Sequence, residues 1–244
     1  MELDLLWKAV PVHAKRRCLS NVLHATDAAF DVYCQGMDRL AGMLMRLYYA
    51  RPEDVEREGE LMGLAVYDVF SGLFRSYRLR DLYMPERGGI LVCTEVLQLL
   101  VRERLPDLTE HFDKIDFSVD MVAMGWFQTL FVYLHAMPRR TVRRVWDWWL
   151  SSGDFEVFFR VCMALLQLSQ VTLLDMDFDQ TVKYFNSFPD RAILYPENLL
   201  PVADAVKIAE GELMYLELKV RKQEGLEVPN VAELMLRPMH AQGA

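Results

Sequence analysis

Apolar side chains recur every three or four positions along most of the chain, the spacing that places them on one face of an α-helix. Runs that alternate β-branched with polar residues do not occur, and Asn-Gly and Gly-Asn hairpin turns are missing. Prolines separate the apolar runs and so mark the ends of elements. The pattern predicts an all-α fold, built as a single domain of many helices.

The individual helices follow from the apolar runs and the residues that interrupt them. They are predicted at residues 12–30, 37–50, 52–73, 90–105, 108–112, 118–134, 141–151, 155–168, 179–188 and 197–224. The segment from Ser76 to Gly89 is predicted to be a polar connection, because prolines and glycines interrupt it. The domain is predicted to span residues 1–224, with a loosely ordered tail at 225–244.

Two sets of apolar residues are predicted to be buried. Nearly every residue from Phe155 to Leu168 is apolar, so this helix has no polar face for solvent and is expected at the centre of the fold. Five aromatic residues are predicted to pack in a core rather than to form a recognition surface. They are Trp126, Phe127, Phe131, Trp146 and Trp149.

Composition narrows the functional classes. The chain carries a formal net charge of −8, which argues against a nucleic-acid binder and against attachment to membranes through a basic surface. The four cysteines form no C-x-x-C pair and the five histidines have no metal-ligand spacing, so reduced thiols and no metal site are predicted. No stretch reaches the roughly 20 apolar residues of a membrane helix. The chain is therefore predicted to have no integral membrane segment and to be cytoplasmic.

The stretch Tyr33-Cys34-Gln35-Gly36-Met37 joins two predicted helices and carries the most informative chemistry. Gly36 has no Cβ and lets the backbone turn closely. Gln35 can project a carboxamide that both donates and accepts hydrogen bonds, and such a group can hold a water molecule against a reacting phosphate. An ordinary polar residue at the start of a helix has the same appearance, so the pentapeptide alone leaves both interpretations open.

Four blocks occur in an order that is typical of one family. Tyr33–Met37 fits Y-x-Q-G-M, and it is followed by Pro106–Phe112 (P-x-L-x-x-H), Trp126–Phe131 (W-F-x-x-L-F) and Met137–Gly153 (P…R-[IV]-W-D…G). In these blocks the chain resembles the TBC domain of Rab GTPase-activating proteins. The resemblance covers residues 19–168, more than half of the chain.

The resemblance implies an all-helical domain that acts on the nucleotide of a partner, a Rab-type small GTPase of vesicle trafficking. The family's glutamine, here Gln35, stands in for the GTPase's own glutamine and orients the attacking water, with Tyr33 and Gly36 supporting the motif. GTP and Mg²⁺ belong to the partner, so no cofactor of this chain and no intrinsic chemistry are expected. Association with endomembranes would be peripheral, through that partner.

The family also supplies an arginine, from an I-x-x-D-x-x-R box, that neutralises charge on the transferring phosphoryl group. Here the box fits only Met1–Trp7, which keeps Asp4 but places Trp7, with no charge and a single N–H donor, where the arginine belongs. Arg16 and Arg17 are candidate substitutes, although a basic run on a helix face is typical of a solvated surface. The family's helices upstream of the box have no counterpart, so a member that is short or divergent at its N-terminus is expected.

Two functions stay open on the sequence. In the first, the chain is a GTPase-activating protein that inserts a glutamine finger. In the second, it is a catalytically impaired TBC-like module that binds a small GTPase or another partner as a scaffold or effector. The intact Y-x-Q-G-M pattern favours the first, and Trp7 in the place of the arginine favours the second.

Overall fold

The computed structural model describes residues 12–48, 59–77 and 79–228. Within these ranges the chain forms twelve α-helices and two short 3₁₀ turns, with no β-strand, which confirms the all-α prediction. The chain divides into two compact units, unit 1 up to Pro85 and unit 2 from Glu86 onward. The single domain at 1–224 and the tail at 225–244 stay a prediction, and residues 229–244 lie outside the described part.

Unit 1 is built from four helices in its described residues. They are α1 (Val12–Phe30), α2 (Met37–Tyr48), α3 (Gly59–Ser76) and α4 (Leu79–Tyr83), and a 3₁₀ turn follows at Pro85–Arg87. Helix α3 packs against both α1 and α2, and α1 also packs against α2. The buried residues of α1 are Cys18, Val22 and Thr26, whose spacing of four keeps them on one face. The start predicted for the third helix, at Pro52, lies outside the described residues.

Aromatic rings connect the ends of the helices in unit 1. The ring of Phe74 on α3 has its centroid 5.2 Å from that of Phe30, the last residue of α1. On α4, Tyr83 stacks on the same Phe74 ring at 5.9 Å. Phe74 and Tyr83 are each 2% exposed, so the buried Phe74 ring contacts both the last residue of α1 and the last residue of α4.

The segment from Ser76 to Gly89 is not a polar connection, so this prediction is wrong. Leu79, Leu82 and Tyr83 are all buried, and their spacing of three and four places them on one face of α4. The prolines and glycines only bound this short helix. Three apolar residues are too few to produce a periodic signal, yet they are enough to anchor one turn against a core.

Unit 2 is built from eight helices in its described residues. They are α5 (Gly89–Arg104), α6 (Pro106–Lys114), α7 (Asp120–Thr129), α8 (Arg139–Ser152), α9 (Glu156–Leu173), α10 (Phe178–Ser187), α11 (Pro196–Ala205) and α12 (Glu212–Gln223), with a 3₁₀ turn at Arg191–Leu194. Helix α9 packs against α8 and α11, and α5 packs against α6, α7 and α12.

Helix α9 is the central helix of unit 2, as its composition predicts. Eleven of its residues are buried. By length and composition alone it is also the one helix in the described ranges that could cross a membrane. A helix packed on several sides by other helices is apolar all round for the same reason as a membrane span. Its burial against α8 and α11 accounts for the composition.

The five aromatic residues predicted to be core are between 0% and 4% exposed, which confirms the packing prediction. Three rings form the tryptophan cluster, defined here as Trp146, Trp149 and Phe158. The centroid of Trp149 lies 5.5 Å from that of Trp146 and 5.1 Å from that of Phe158, both in edge-on geometry. Each such pair adds about 0.5–1.5 kcal/mol beyond the burial of its area.

Helix α7 ends at Thr129 and not at residue 134 as predicted. Leu130 and Phe131 adopt left-handed backbone angles, with φ of 45° and 64°. The indole Nε1 of Trp146 donates to the carbonyl oxygen of Leu130 at 3.1 Å. Both strained residues are fully buried, so packing and this hydrogen bond offset a conformation that bulky side chains disfavour.

The last predicted helix, at 197–224, is two helices in the structure. Helix α11 ends at Ala205 and α12 begins at Glu212, after Gly211 with a φ of 77°. The apolar spacing continues across the break, and a single glycine is a weak marker of a helix end. Periodicity therefore predicted the helical content here but not the connection.

Candidate functional site

The glutamine turn, residues Asp31–Met37, joins α1 to α2 in unit 1. Asp31 leaves α1 in the left-handed region, with a φ of 51°, and its amide donates to a carbonyl oxygen one turn earlier at 2.7 Å. Gly36 has a φ of 106°, a conformation that strains any residue with a Cβ. Met37 then begins α2. Gln35 consequently stands directly before the N-terminus of a helix, next to a fixed backbone angle.

Buried residues on both sides of Gln35 hold the turn in unit 1. Val32 is 2% exposed and Met37 is fully buried, whereas Tyr33 is 60% exposed and Gln35 is also exposed. The Met37 amide donates to the carbonyl oxygen of Cys34 at 3.2 Å, and the Met37 sulfur accepts from the Cys34 amide at 3.2 Å. The turn therefore presents Gln35 at the surface on a backbone that is fixed from both ends.

Asp38 and Arg39, in the first turn of α2, supply the charges next to Gln35. Asp38 accepts from the backbone N–H of Gly36 through Oδ1 at 3.2 Å, and its Oδ2 lies 3.4 Å from Nε of Arg39. The helix dipole favours a carboxylate at this end of a helix and disfavours a cation. The two side chains are 35% and 50% exposed, so the ion pair contributes no more than about 1 kcal/mol to stability.

Tyr83 of α4 is the buried titratable group that interacts with the glutamine turn. Burial raises the pKa of the Tyr83 phenol well above its usual value, and the charges of Cys34 and Asp38 raise that pKa further. The phenol is therefore neutral at physiological pH. Through its stacking on Phe74, it connects the turn to the aromatic contact at the end of α1.

The arginines proposed from the sequence lie at the other end of α1. Arg16 and Arg17 are exposed near its start, as a solvated surface predicts. At the rise per residue of an α-helix, they lie about 20 Å from Phe30, the residue after which the glutamine turn begins. That they substitute for the family's arginine stays a prediction, and their distance from the glutamine turn does not favour it. Asp4 and Trp7 lie outside the described residues.

Comparison with known proteins places the glutamine turn in a family context. The Rab-GTPase-TBC domain family matches residues 12–174, more than half of the chain. The chain belongs to this family. The matched residues begin with α1 and run through the end of α9, so they draw on both units.

Curated relatives of this TBC domain carry longer chains. The human Ecotropic viral integration site 5 protein homolog is 31% identical over 186 residues, which cover 76% of this chain and 21% of that protein. The Rab GTPase-activating protein eat-17 of Caenorhabditis elegans is 30% identical over 203 residues, covering 83% and 21%. The chain thus spans about a fifth of the length of these relatives. The GTPase activating protein Gyp51 of Schizosaccharomyces pombe is 29% identical over 152 residues, covering 62% and 13%.

A solved structure supports the same fold. The crystal structure of the Ypt/Rab-GAP domain of Gyp1p superimposes with a TM-score of 0.63, covering 89% of this chain and 72% of that one. The two sequences are 18% identical, so the likeness establishes the all-α TBC fold and not an activity.

Sequence reasoning missed two arginines of this TBC domain, one at each end of the glutamine turn. Arg39 is at the α2 end. At the α1 end, the guanidinium carbon of Arg75 lies 5.8 Å from the ring centroid of Phe30, and its Nη2 donates to Oγ of Ser71 at 2.5 Å. Arg39 follows Gln35 by four positions, whereas the family's arginine box lies upstream of the glutamine. No local signal marks Arg75, because its place depends on how α3 packs on α1.

A metal site has no counterpart in the described ranges. No three His, Cys, Asp or Glu side chains there are grouped as a metal site requires. That this TBC domain uses no metal or cofactor of its own stays a prediction.

Proposed function

We propose that this TBC domain accelerates GTP hydrolysis by a Rab-type small GTPase, and that Gln35 is the residue it inserts. The observation that carries the proposal is the exposed Gln35 side chain on a turn that the positive φ of Gly36 permits and that the buried Val32 and Met37 hold in place. A group that enters another protein's nucleotide site has to be accessible and held on rigid backbone, because a small misplacement removes most of its effect. The relatives named as GTPase activators support the same activity.

The partner supplies GTP and Mg²⁺, and Gln35 supplies orientation. The carboxamide oxygen accepts a hydrogen bond from the attacking water, and the amide N–H donates toward the phosphate. The water oxygen bonds to the γ-phosphorus while the bond from phosphorus to the β–γ bridging oxygen breaks. GDP leaves with that electron pair, and the water's proton passes to the released phosphate. This chain gives no atom to either product.

Single-turnover GTP hydrolysis by a panel of purified Rab proteins, with and without the full chain, tests the proposal. We expect stimulation of at least one member. Gln35→Ala should lower the stimulated rate by about 10²-fold, the effect of losing one preorganised contact in a transition state. The matched control is Gln167→Ala, which removes an exposed glutamine of α9 and should keep the rate. Equal rates for the wild-type chain and Gln35→Ala would exclude Gln35 from the mechanism.

A second function, binding without catalysis, is supported by Trp7 in the place of the family's arginine. The chain would then bind a GTP-loaded GTPase as a scaffold or effector while hydrolysis rates stay unchanged. Stimulation of more than about 10²-fold would exclude this function, since it approaches what an arginine finger supplies.

We also propose that the chain acts in the cytoplasm, does not bind nucleic acid, and reaches endomembranes peripherally through its GTPase partner. The formal net charge of −8 supports this, because it does not favour direct attraction to anionic surfaces. A fluorescently tagged chain should follow the GTP-locked partner to membranes and become diffuse when the partner is depleted. Membrane location that persists without the partner would contradict the proposal.

A further inference from the structure

We propose that Arg39 supplies the positive charge for the transferring phosphoryl group, from the same turn that presents Gln35. The inference rests on the proposed function and names a second residue for it. The box that fits the family's arginine ends on Trp7, which carries no charge. A single turn of chain would then carry both groups that act on the partner's nucleotide.

The backbone places Arg39 next to Gln35. The Arg39 amide donates to the carbonyl oxygen of Gly36 at 2.9 Å, so the chain closes one turn between Arg39 and the residue that follows Gln35. The side chain of Arg39 is 50% exposed, and that of Gln35 is exposed as well. Both side chains therefore start within one turn of each other, and both are exposed.

Asp38 is the charged neighbour of the Arg39 guanidinium. One of its carboxylate oxygens accepts from the Gly36 amide at 3.2 Å, and the other lies 3.4 Å from Nε of Arg39. The carboxylate thus connects Arg39 to the backbone of the glutamine turn. An exposed pair of this kind is weak, whereas a guanidinium binds phosphate through strong paired hydrogen bonds. A phosphate that enters the site can therefore compete with Asp38 for Arg39.

Helix stability does not explain why an arginine stands at this position. A cation in the first turn of a helix opposes the helix dipole, and Asp38 at an exposed surface offsets this only in part. The dipole of α2 therefore does not favour an arginine at this position.

Three other arginines in the described part of unit 1 are less well placed. Arg75 donates to both the carbonyl oxygen and the hydroxyl of Ser71 and packs over Phe30. Arg46 is in the last turn of α2, about 10 Å further along the helix axis than Arg39. Arg16 is near the far end of α1.

In the reaction, Arg39 forms and breaks no covalent bond. Negative charge grows on the γ-phosphoryl oxygens and on the β–γ bridging oxygen as water bonds to phosphorus and GDP leaves with the electron pair. The guanidinium N–H groups donate to these oxygens, and the water's proton goes to the released phosphate as before. An arginine in this position is worth roughly 10³–10⁵ in rate.

The test uses the full chain and a Rab protein whose hydrolysis it stimulates. Arg39→Ala should lower the single-turnover rate by about 10³-fold. Its affinity for the partner loaded with a non-hydrolysable GTP analogue should stay within about threefold of wild type, as expected for a contact made in the transition state. Arg39→Lys should recover only part of the rate, because lysine keeps the charge but lacks the planar fork. The control is Arg143→Ala, which removes an exposed arginine of α8.

A transition-state mimic separates chemistry from a structural role. GDP with aluminium fluoride should tighten binding of the wild-type chain to the partner, and Arg39→Ala should lose this tightening. A structural defect would weaken the GTP-analogue complex equally, and that result overturns the proposal. So does a wild-type rate in Arg39→Ala when Gln35→Ala is inactive, and in that case the proposed function stands. Unstimulated hydrolysis with the wild-type chain, across every Rab tested, overturns both proposals.

Discussion

The glutamine turn of unit 1 and the tryptophan cluster of unit 2 hold side chains in place by opposite means. In the cluster, Trp149 and Phe158 are fully buried and are fixed by the rings around them. In the turn, Gln35 is exposed, and its backbone is held by the buried Val32 and Met37 in a conformation that Gly36 permits. Substitutions in the cluster should therefore change stability, and substitutions at the surface of the turn should change activity.

The largest effect is expected from Phe158→Ala. The Phe158 ring lies 4.8 Å from Phe155, 5.1 Å from Trp149 and 6.2 Å from Phe131 between centroids, so its removal leaves a cavity that these rings cannot easily fill. We expect the free energy of unfolding to fall by about 3–5 kcal/mol. Urea unfolding followed by circular dichroism measures this. Phe158→Leu, which keeps most of the volume, should lose less than about 1.5 kcal/mol. Equal losses would show that volume does not decide the effect.

Gly36→Ala should lower both stability and activity. Gly36 lies in the glutamine turn, but its substitution also strains the backbone, so both effects in the comparison are expected at this one position. A Cβ at a φ of 106° introduces strain of roughly 1–2 kcal/mol and displaces Gln35, so the stimulated hydrolysis rate should fall as well.

Gly42→Ala, on α2, is the matched control for this prediction. An added Cβ there meets no atom within 4 Å, and alanine in a helix interior should stabilise the chain by about 0.5–1 kcal/mol. If the two alanine variants unfold at the same urea concentration, the backbone of the turn relaxes freely and the comparison fails.

The smallest effect concerns alkaline pH and Tyr83→Phe. Burial raises the pKa of the Tyr83 phenol, so the folded chain keeps a proton that the unfolded chain releases above about pH 10. The Tyr83 phenol should therefore leave the free energy of unfolding of the wild-type chain unchanged below pH 10. Above pH 10 it should lower this free energy by at most about 1.4 kcal/mol per pH unit. Tyr83→Phe should show a shallower fall in urea unfolding between pH 9 and 11 (about one unit either side of the reference pKa). Parallel curves for the two chains would show that the phenol ionises equally in both states.

Periodicity predicted the long helices because each buries one face along most of its length. Helices α1, α5 and α9 begin and end within a few residues of their predicted bounds, except at the end of α9. The errors occur where tertiary contacts decide. Helix α4 is anchored by three buried residues, of which Tyr83 stacks on Phe74, and α7 ends early where Trp146 binds a backbone carbonyl.

In the candidate site too, the local pattern was predictable from the sequence and the tertiary contacts were not. The pattern around Gln35 and Gly36 is local, and the structure shows a turn with an exposed glutamine there. The ion pair of Arg39 depends on how Asp38 also bonds to the backbone of the turn, and the nearness of Tyr83 depends on a helix far along the chain. Neither contact produces a recognisable pattern in the amino-acid sequence.

The placement of the tryptophans has a consequence for spectroscopy. Every tryptophan in the described ranges, at positions 126, 146, 148 and 149, lies in unit 2, and Trp7 is the fifth of the chain. A Trp7→Phe chain would emit indole fluorescence from unit 2 alone. The emission would report the environment around these four tryptophans, while a partner bound over Gln35 could be given its own fluorophore. The two units could then be followed at separate wavelengths in one solution, with no label attached to this protein.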